Sequence, residues 1–237
     1  MWVGGAARWV VAGGDWVAGV AANLAGLAGT RGDDLLIATG LAEAVELRGR
    51  AGDDLILGGF GDDTILGGRG HDALLGGPGE DVLLGRRGDD TLSGGVGNDV
   101  LIGGRGRNRL DGGPGDDLLV AGAGADLLLG GGGNDTLHGG RGRDTLSGGP
   151  GADTFHFGPE DGRDLILDFD PDEGDPLTLG PALWTGMLGP QQVVDSLARV
   201  TAAGNAVFAF EGGERLVLKD FTRLDRLPDT IDRDWIA

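Results

Sequence analysis

Residues 58–102 read GGFGDDTIL (58–66), GGRGHDALL (67–75), GGPGEDVLL (76–84), GRRGDDTLS (85–93) and GGVGNDVLI (94–102). The phrase G-G-x-G-x-D-x-(apolar)-x recurs twelve times without insertion from Gly49 to His156. A strict short period is the mark of a solenoid, whose units bury their apolar face only by stacking on their neighbours. Position four is Gly in all twelve units, position one in eleven (Ala121 departs) and position two in ten (Arg50 and Arg86 depart). Position eight is apolar throughout, from Ile56 to Phe155. Glycine tolerates left-handed turns and leaves its carbonyl open to a ligand. The pattern therefore predicts six residues of turn and three of strand per unit, with the eighth side chain inward and its neighbours outward.

If successive turns alternate sides, two units make one coil and residues 18 apart stack. The sixth positions then form two ladders. One holds Asp54, Asp72, Asp90, Asn108, Asp126 and Asp144; the other holds Asp63, Asp81, Asp99, Asp117, Asp135 and Asp153. Stacked strands lie about 4.8 Å apart. Two carboxylates at that distance repel by about 1 kcal/mol in water and by roughly 3–4 kcal/mol at an effective dielectric of 20. A divalent cation between each pair turns repulsion into a bridge. Carboxylate and carbonyl oxygens suit calcium; magnesium wants a tighter octahedron and zinc wants His or Cys. Asn108, flanked by Arg107 and Arg109, marks the weak rung, where the sites facing Asp90 and Asp126 lose charge.

Composition agrees. The 237 residues contain 52 Gly, 38 Asp plus Glu, 19 Lys plus Arg and no Cys, for a net charge of −19. That balance argues against nucleic acid or an anionic membrane surface as partner, and for cations. Without cysteine there are no disulfides or thiolate sites, so metal is the available staple. No stretch approaches the roughly 18 apolar residues of a membrane helix, and the N-terminus MWVGGAARWVVAGG is a poor signal peptide. An exported chain of this kind is expected to dispense with a cleaved leader.

The repeat tract resembles the parallel β-roll of the RTX (repeats-in-toxin) calcium-binding family, over residues 29–37 and 49–156. The resemblance implies a right-handed roll with calcium between turns one coil apart. The first turn would give its second- and fourth-position carbonyls and its Asp, the later turn its first- and third-position carbonyls and its Asp. One such site would be Gly59, Gly61 and Asp63 with Gly76, Pro78 and Asp81. The same rule nominates the carbonyls of Gly52, Gly68, Gly70, Gly77, Gly79, Gly94, Gly95, Gly97, Gly113, Gly115, Gly131, Gly133, Gly140 and Gly142. Asp34, sixth in GTRGDDLLI (29–37), joins the carboxylate set. Up to about ten calcium ions are implied. The segment from Gly151 to Asp175 is similar to the one that closes the roll in secreted, serralysin-type members. The family leaves the cell by type I secretion with an uncleaved C-terminal signal, which the ending Asp234-Trp235-Ile236-Ala237 resembles.

Three regions are expected. Residues 1–48 form an N-terminal cap with short strands at Arg8–Val11 and Asp15–Val20, followed by degenerate first rungs in which Val45 replaces the Asp. Residues 49–156 form the roll. Residues 157–237 form a small α+β cap, with a helix around Gln191–Ala202 and a hairpin of Ala206–Phe210 with Arg215–Leu218. Leu66, Val82, Leu84, Val100, Ile102, Leu118 and Val120 should make an outward apolar patch, read as a docking face within the chain.

Catalytic signatures are missing. His71, His138 and His156 have no ligand spacing, and there is no H-E-x-x-H or G-x-S-x-G. Asp168-x-Asp170-x-Asp172 fails as a calcium loop, because Glu173 and Leu179 stand where Gly and Glu are needed; it reads as a solvated acidic turn. The expectation is a non-enzymatic, secreted calcium-binding β-roll that folds on binding a row of ions. The alternatives are the roll module of an extracellular protease or alginate epimerase, or a calcium-dependent adhesion or matrix protein. A polysaccharide or cell-surface partner fits these readings, but nothing in the sequence specifies one.

Overall fold

The structure, a computed structural model, describes residues 8–12, 15–19, 27–38, 43–180, 198–210, 212–229 and 231–232. It is a parallel β-solenoid of two facing sheets, one of 13 strands and one of 10. Consecutive units alternate between the sheets, so Thr91–Val96 pairs with Ala73–Pro78 on one side and Arg109–Pro114 on the other. The register is 18 residues between the regular units: Leu92 sits between Leu74 and Leu110, and Leu101 between Leu83 and Leu119.

The eighth positions, joined by first-position Ala121, make the core of the roll. Ile56, Ile65, Leu74, Leu83, Leu92, Leu101, Leu110, Leu119, Leu128 and Leu137 are all fully buried. One branched aliphatic side chain per unit fills the space between sheets, and each covers its neighbours above and below. At the C-terminal end the filling changes to aromatic rings. Phe155 lies 6.0 Å from Phe169, Phe169 5.6 Å from Phe221, and Phe157 5.4 Å from Phe210, centroid to centroid.

The strands are longer than the three residues expected. Thr64–Arg69 and Val82–Arg87 run six residues, through positions one to three of the next unit. The two leading glycines keep pairing with the coils on either side, as in Gly77↔Gly95. The turn shrinks to positions four to six. Gly68 (φ 130°) and Gly70 (φ 128°) show why the glycines are needed. A Cβ at Gly68 would lie 2.2 Å from the Arg50 carbonyl oxygen, and one at Gly70 2.0 Å from that of Gly52.

The ends differ from the middle. Arg8–Ala12 pairs antiparallel with Asp15–Gly19 and with Leu35–Ile37, so both expected N-terminal strands form. Beyond the last regular unit, Arg163–Ile166 and Leu177–Leu179 continue the two sheets in parallel. Arg215–Leu218 then pairs parallel to Arg163–Ile166 and antiparallel to Ala206–Ala209, giving the expected hairpin. The helix expected around 191–202 is not found in its described part: Ala198–Val200 is a strand antiparallel to Ala206–Ala209. Ala198 is buried there and Arg199 and Val200 are exposed; backbone partners offered by the strand Ala206–Ala209 win over the helical spacing, and residues 191–197 lie outside the described residues. A 3-10 helix, Leu224–Asp229, is the one helical element among the described residues. The cap strands add to the sheet ends. They leave the apolar face half-buried, with Ile102 and Leu118 at 37% and 38% exposure.

Candidate metal centre

Each sixth-position side chain points into the turn. The thirteen residues predicted from the sequence, including Asp34 and Asn108, are all at most 4% exposed. They form the two expected ladders. On one edge the backbone N–H of each rung donates to the Oδ1 of the rung one coil on: Asp54 to Asp72, Asp72 to Asp90, Asp90 to Asn108, Asn108 to Asp126 and Asp126 to Asp144, at 2.6–3.0 Å. On the other edge Asp63 donates to Asp81, Asp81 to Asp99, Asp99 to Asp117, Asp117 to Asp135 and Asp135 to Asp153, at 2.7–2.8 Å. Val45, where the Asp is missing, still donates its N–H to Asp63 Oδ1 at 2.9 Å.

Two ladder members were not foreseen. Asp144 N–H donates to Asp164 Oδ1 at 3.0 Å, and Asp153 N–H donates to Asp175 Oδ1 at 2.9 Å. Both are buried. The nine-residue phrase is lost there, but the local fragments G-R-D-L-I (162–166) and G-D-P-L (174–177) keep a Gly before the Asp and an apolar residue two places after it. That fragment was the available signal. At the other end Asp34 is spent differently: Thr30 donates to its carboxylate from both N–H and hydroxyl.

The remaining oxygens define the site. Oδ2 of Asp54, Asp63, Asp72, Asp81, Asp90, Asp99, Asp117, Asp126, Asp135 and Asp144 is buried and accepts no hydrogen bond. A buried carboxylate oxygen without a donor calls for a cation or a proton. Burial raises these acids: Asp54, Asp63 and Asp72 to about 6, and Asp99, Asp135 and Asp144 to about 7. Desolvation is the largest cause; the backbone N–H bond opposes it, and neighbouring carboxylates on the ladder add to it. Asp164 reaches about 8.

Oxygen donors converge on Oδ2. A Cβ built on Gly58 would lie 2.4 Å from Asp63 Oδ2 and 2.6 Å from the Gly76 carbonyl oxygen; on Gly76 it would meet Asp81 Oδ2 at 2.2 Å and the Gly94 oxygen at 2.6 Å. First-position glycine thus keeps open a cradle between its own rung's carboxylate and the carbonyl one coil on. The carbonyl oxygens of Gly59 and Gly61 aim along the stack at Gly77 and Gly79. Those of Gly76 and Pro78 accept N–H bonds from Gly59 and Gly61 at 3.0 and 2.9 Å, which leaves each a second lone pair. Such an all-oxygen donor set fits a hard divalent cation of calcium's size. Among the described residues no three His, Cys, Asp or Glu side chains gather as a metal cluster, because each rung contributes one carboxylate and the rest is backbone. The Asp168–Asp172 turn is not such a cluster either. Asp168 accepts from Ser147, Gly148 and Gly149, and Asp172 pairs with Arg223 and Arg226.

A solenoid with one buried, half-satisfied carboxylate per turn is a cation-binding β-roll. Residues 46–74, 75–110, 93–128, 102–137 and 129–163 match the family described as the RTX calcium-binding nonapeptide repeat (4 copies), and this tract of the chain belongs to that family. No curated protein matches the chain. Among solved structures it is similar to the extracellular lipase LipA from Serratia marcescens, at 20% identity and a TM-score of 0.36 over 90% of this chain and 40% of the lipase. It is also similar to the AlgE6R3 subunit of the Azotobacter vinelandii mannuronan C5-epimerase, at 31% identity and a TM-score of 0.33 over 63% of this chain and 81% of that one. The chain thus spans well under half the length of the lipase.

Proposed function

We propose that this protein is a secreted calcium-binding β-roll that folds as it binds a row of calcium ions outside the cell. The observation that carries the reading is the set of ten buried Oδ2 atoms without a donor, stacked coil on coil. In low calcium the ladders repel across a core only one side chain deep. In extracellular calcium each ion bridges two coils, so binding free energy becomes folding free energy. Extracellular modules bind at about 10⁻⁴–10⁻³ M per site, above cytosolic levels, which would keep the chain unfolded for export. The ligands assigned are the sixth-position Asp residues with the glycine carbonyls on either side of them, including Gly59, Gly61 and Gly76 around Asp63. Residues 49–156 are the calcium-binding body, with 1–48 and 157–237 as its caps. An RTX roll is a binding module without chemistry of its own, and the role of this one is structural or adhesive.

The test is far-UV circular dichroism of the chain titrated with calcium from a chelated start, with magnesium as control. A steep, cooperative gain of β signal with calcium alone supports the reading; a β spectrum indifferent to chelator refutes it.

A further inference from the structure

The two edges of the roll carry opposite charge. The units 49–57, 67–75, 85–93, 103–111, 121–129 and 139–147 turn at one edge and hold 9 basic and 8 acidic residues, a balance of +1. The six units between them turn at the other edge and hold 9 acidic and no basic residues, a balance of −9. Every arginine between Gly49 and His156 therefore sits in the units of one edge of an otherwise acidic molecule. Third-position Arg69, Arg87 and Arg105 stack in one file, coil on coil. All three are exposed, and none takes part in an ion pair among the described residues.

A second observation points to a ligand. Arg50 and Arg86 occupy the second position, where ten of twelve units have Gly, and both hold left-handed backbone, at φ 88° and 82°. Gly140 in the same file takes φ 81°, so the two arginines hold the left-handed backbone that the repeat imposes on glycine. Non-glycine residues resist this region, and such strain gathers where a side chain has a task. Gly68 lies between the two in register. Its missing side chain leaves a cavity of about 260 Å³ lined by Arg50, Arg86 and Leu66, by an Arg48 whose guanidinium already pairs with Glu46, and by Gly67 and Gly68.

We infer that this arginine edge binds a single strand of acidic polysaccharide, seated with one anionic group in the Arg48–Arg50–Arg86 cavity and its neighbours along Arg69, Arg87 and Arg105. Guanidinium groups take carboxylate or sulfate through paired N–H bonds, and a file repeating at about one strand separation suits a chain charged on every sugar or on every second one, met by successive or by alternate arginines. A nucleic acid fits less well: the described third-position residues here, Ala51, Arg69, Arg87, Arg105, Ala123 and Arg141, include no aromatic platform for bases. The site rests on the calcium reading, since the file exists only when the coils are stacked.

The experiment uses the full chain in millimolar calcium and fluorescence anisotropy of labelled hyaluronate oligosaccharides, with dextran sulfate, neutral dextran and single-stranded DNA as parallel probes. The key variant is the double R50G/R86G, which restores the repeat's own glycine and so keeps the fold; a second is R69Q/R87Q/R105Q. Hyaluronate or dextran sulfate should bind, weaken with salt, and lose about tenfold or more in each variant, while calcium-induced circular dichroism stays as in the parent. Equal binding by parent and variants, or tighter binding of DNA than of either glycan, overturns the proposal. Should calcium leave the spectrum unchanged while the arginine-dependent binding persists, the calcium reading fails and the anion site stands.

Discussion

The backbone N–H of Asp72 donates to Oδ1 of Asp90 at 2.9 Å, while Oδ2 of the same Asp90 is buried without a donor. One carboxylate thus does two jobs: one oxygen ties coil to coil, the other faces the cradle. Substitutions can separate them.

Asp99→Asn keeps the acceptor for the Asp81 N–H, bonded at 2.8 Å, and removes the charge. It should raise the calcium midpoint while leaving or improving the stability of the metal-free roll. Asp99→Ala removes both oxygens and strands that N–H, at a cost of about 1–3 kcal/mol with or without calcium. Calcium titrations by circular dichroism, paired with urea unfolding at fixed calcium, distinguish the two. Identical curves for Asn and Ala would contradict the division of labour.

Asn108 occupies its rung as the aspartates do, accepting the Asp90 N–H at 3.0 Å and donating its own N–H to Asp126 Oδ1. Its neighbours Arg107 and Arg109 add positive charge. The sites facing Asp90 and Asp126 should fill last, and Asn108→Asp should add stoichiometry or tighten the final step. Native mass spectrometry across a calcium series reads this directly.

Gly76 should tolerate nothing larger, although Ala121 fills the first position of its own unit. In Gly76→Ala the new methyl would meet Asp81 Oδ2 and the Gly94 carbonyl at 2.2 and 2.6 Å, so about 1–3 kcal/mol of overpacking is expected together with the loss of one ion. Gly132→Ala, with nothing within 4 Å of the added atom, is the control and should behave as the parent protein does.

The metal-free roll should be an acid-stabilised fold. Its buried aspartates have folded-state pKa values raised to about 6 to 8, above the unfolded value near 4. The native state therefore binds more protons than the unfolded one, and stability falls as pH rises through that window. In chelator, β signal should grow as pH drops from about 8 to about 5, while calcium affinity weakens over the same range. A metal-free midpoint in urea that does not change between pH 5 and pH 8 would contradict the assignment.

The solenoid, its 18-residue register and the leucine stack were legible because every unit repeats the same decision: glycine where a Cβ would strike a carbonyl, an apolar residue where the sheets meet. The strand length was not, since position-two Gly looks like a turn residue until its pairing one coil away is seen. Asp164 and Asp175 were missed because inserted residues stretch their register to 20 and 22, which hides them from a fixed period. The split between Oδ1 and Oδ2 leaves no trace in composition at all. The helix around 191–202 was inferred from spacing alone, and at Ala198–Val200 the open strand beside Ala206–Ala209 decided otherwise.

The two ends of the long sheet carry antiparallel strands, Asp15–Gly19 with Arg8–Ala12 at one and the Ala198–Leu218 strands at the other. The shorter sheet ends in two-residue strands, Leu27–Ala28 and Ile231–Asp232. A bare parallel rung is a template on which a second molecule could continue the same winding. Reversed direction at one pair of ends and scant length at the other deny that template. Among the described residues the parallel winding is thus interrupted at the ends of both sheets.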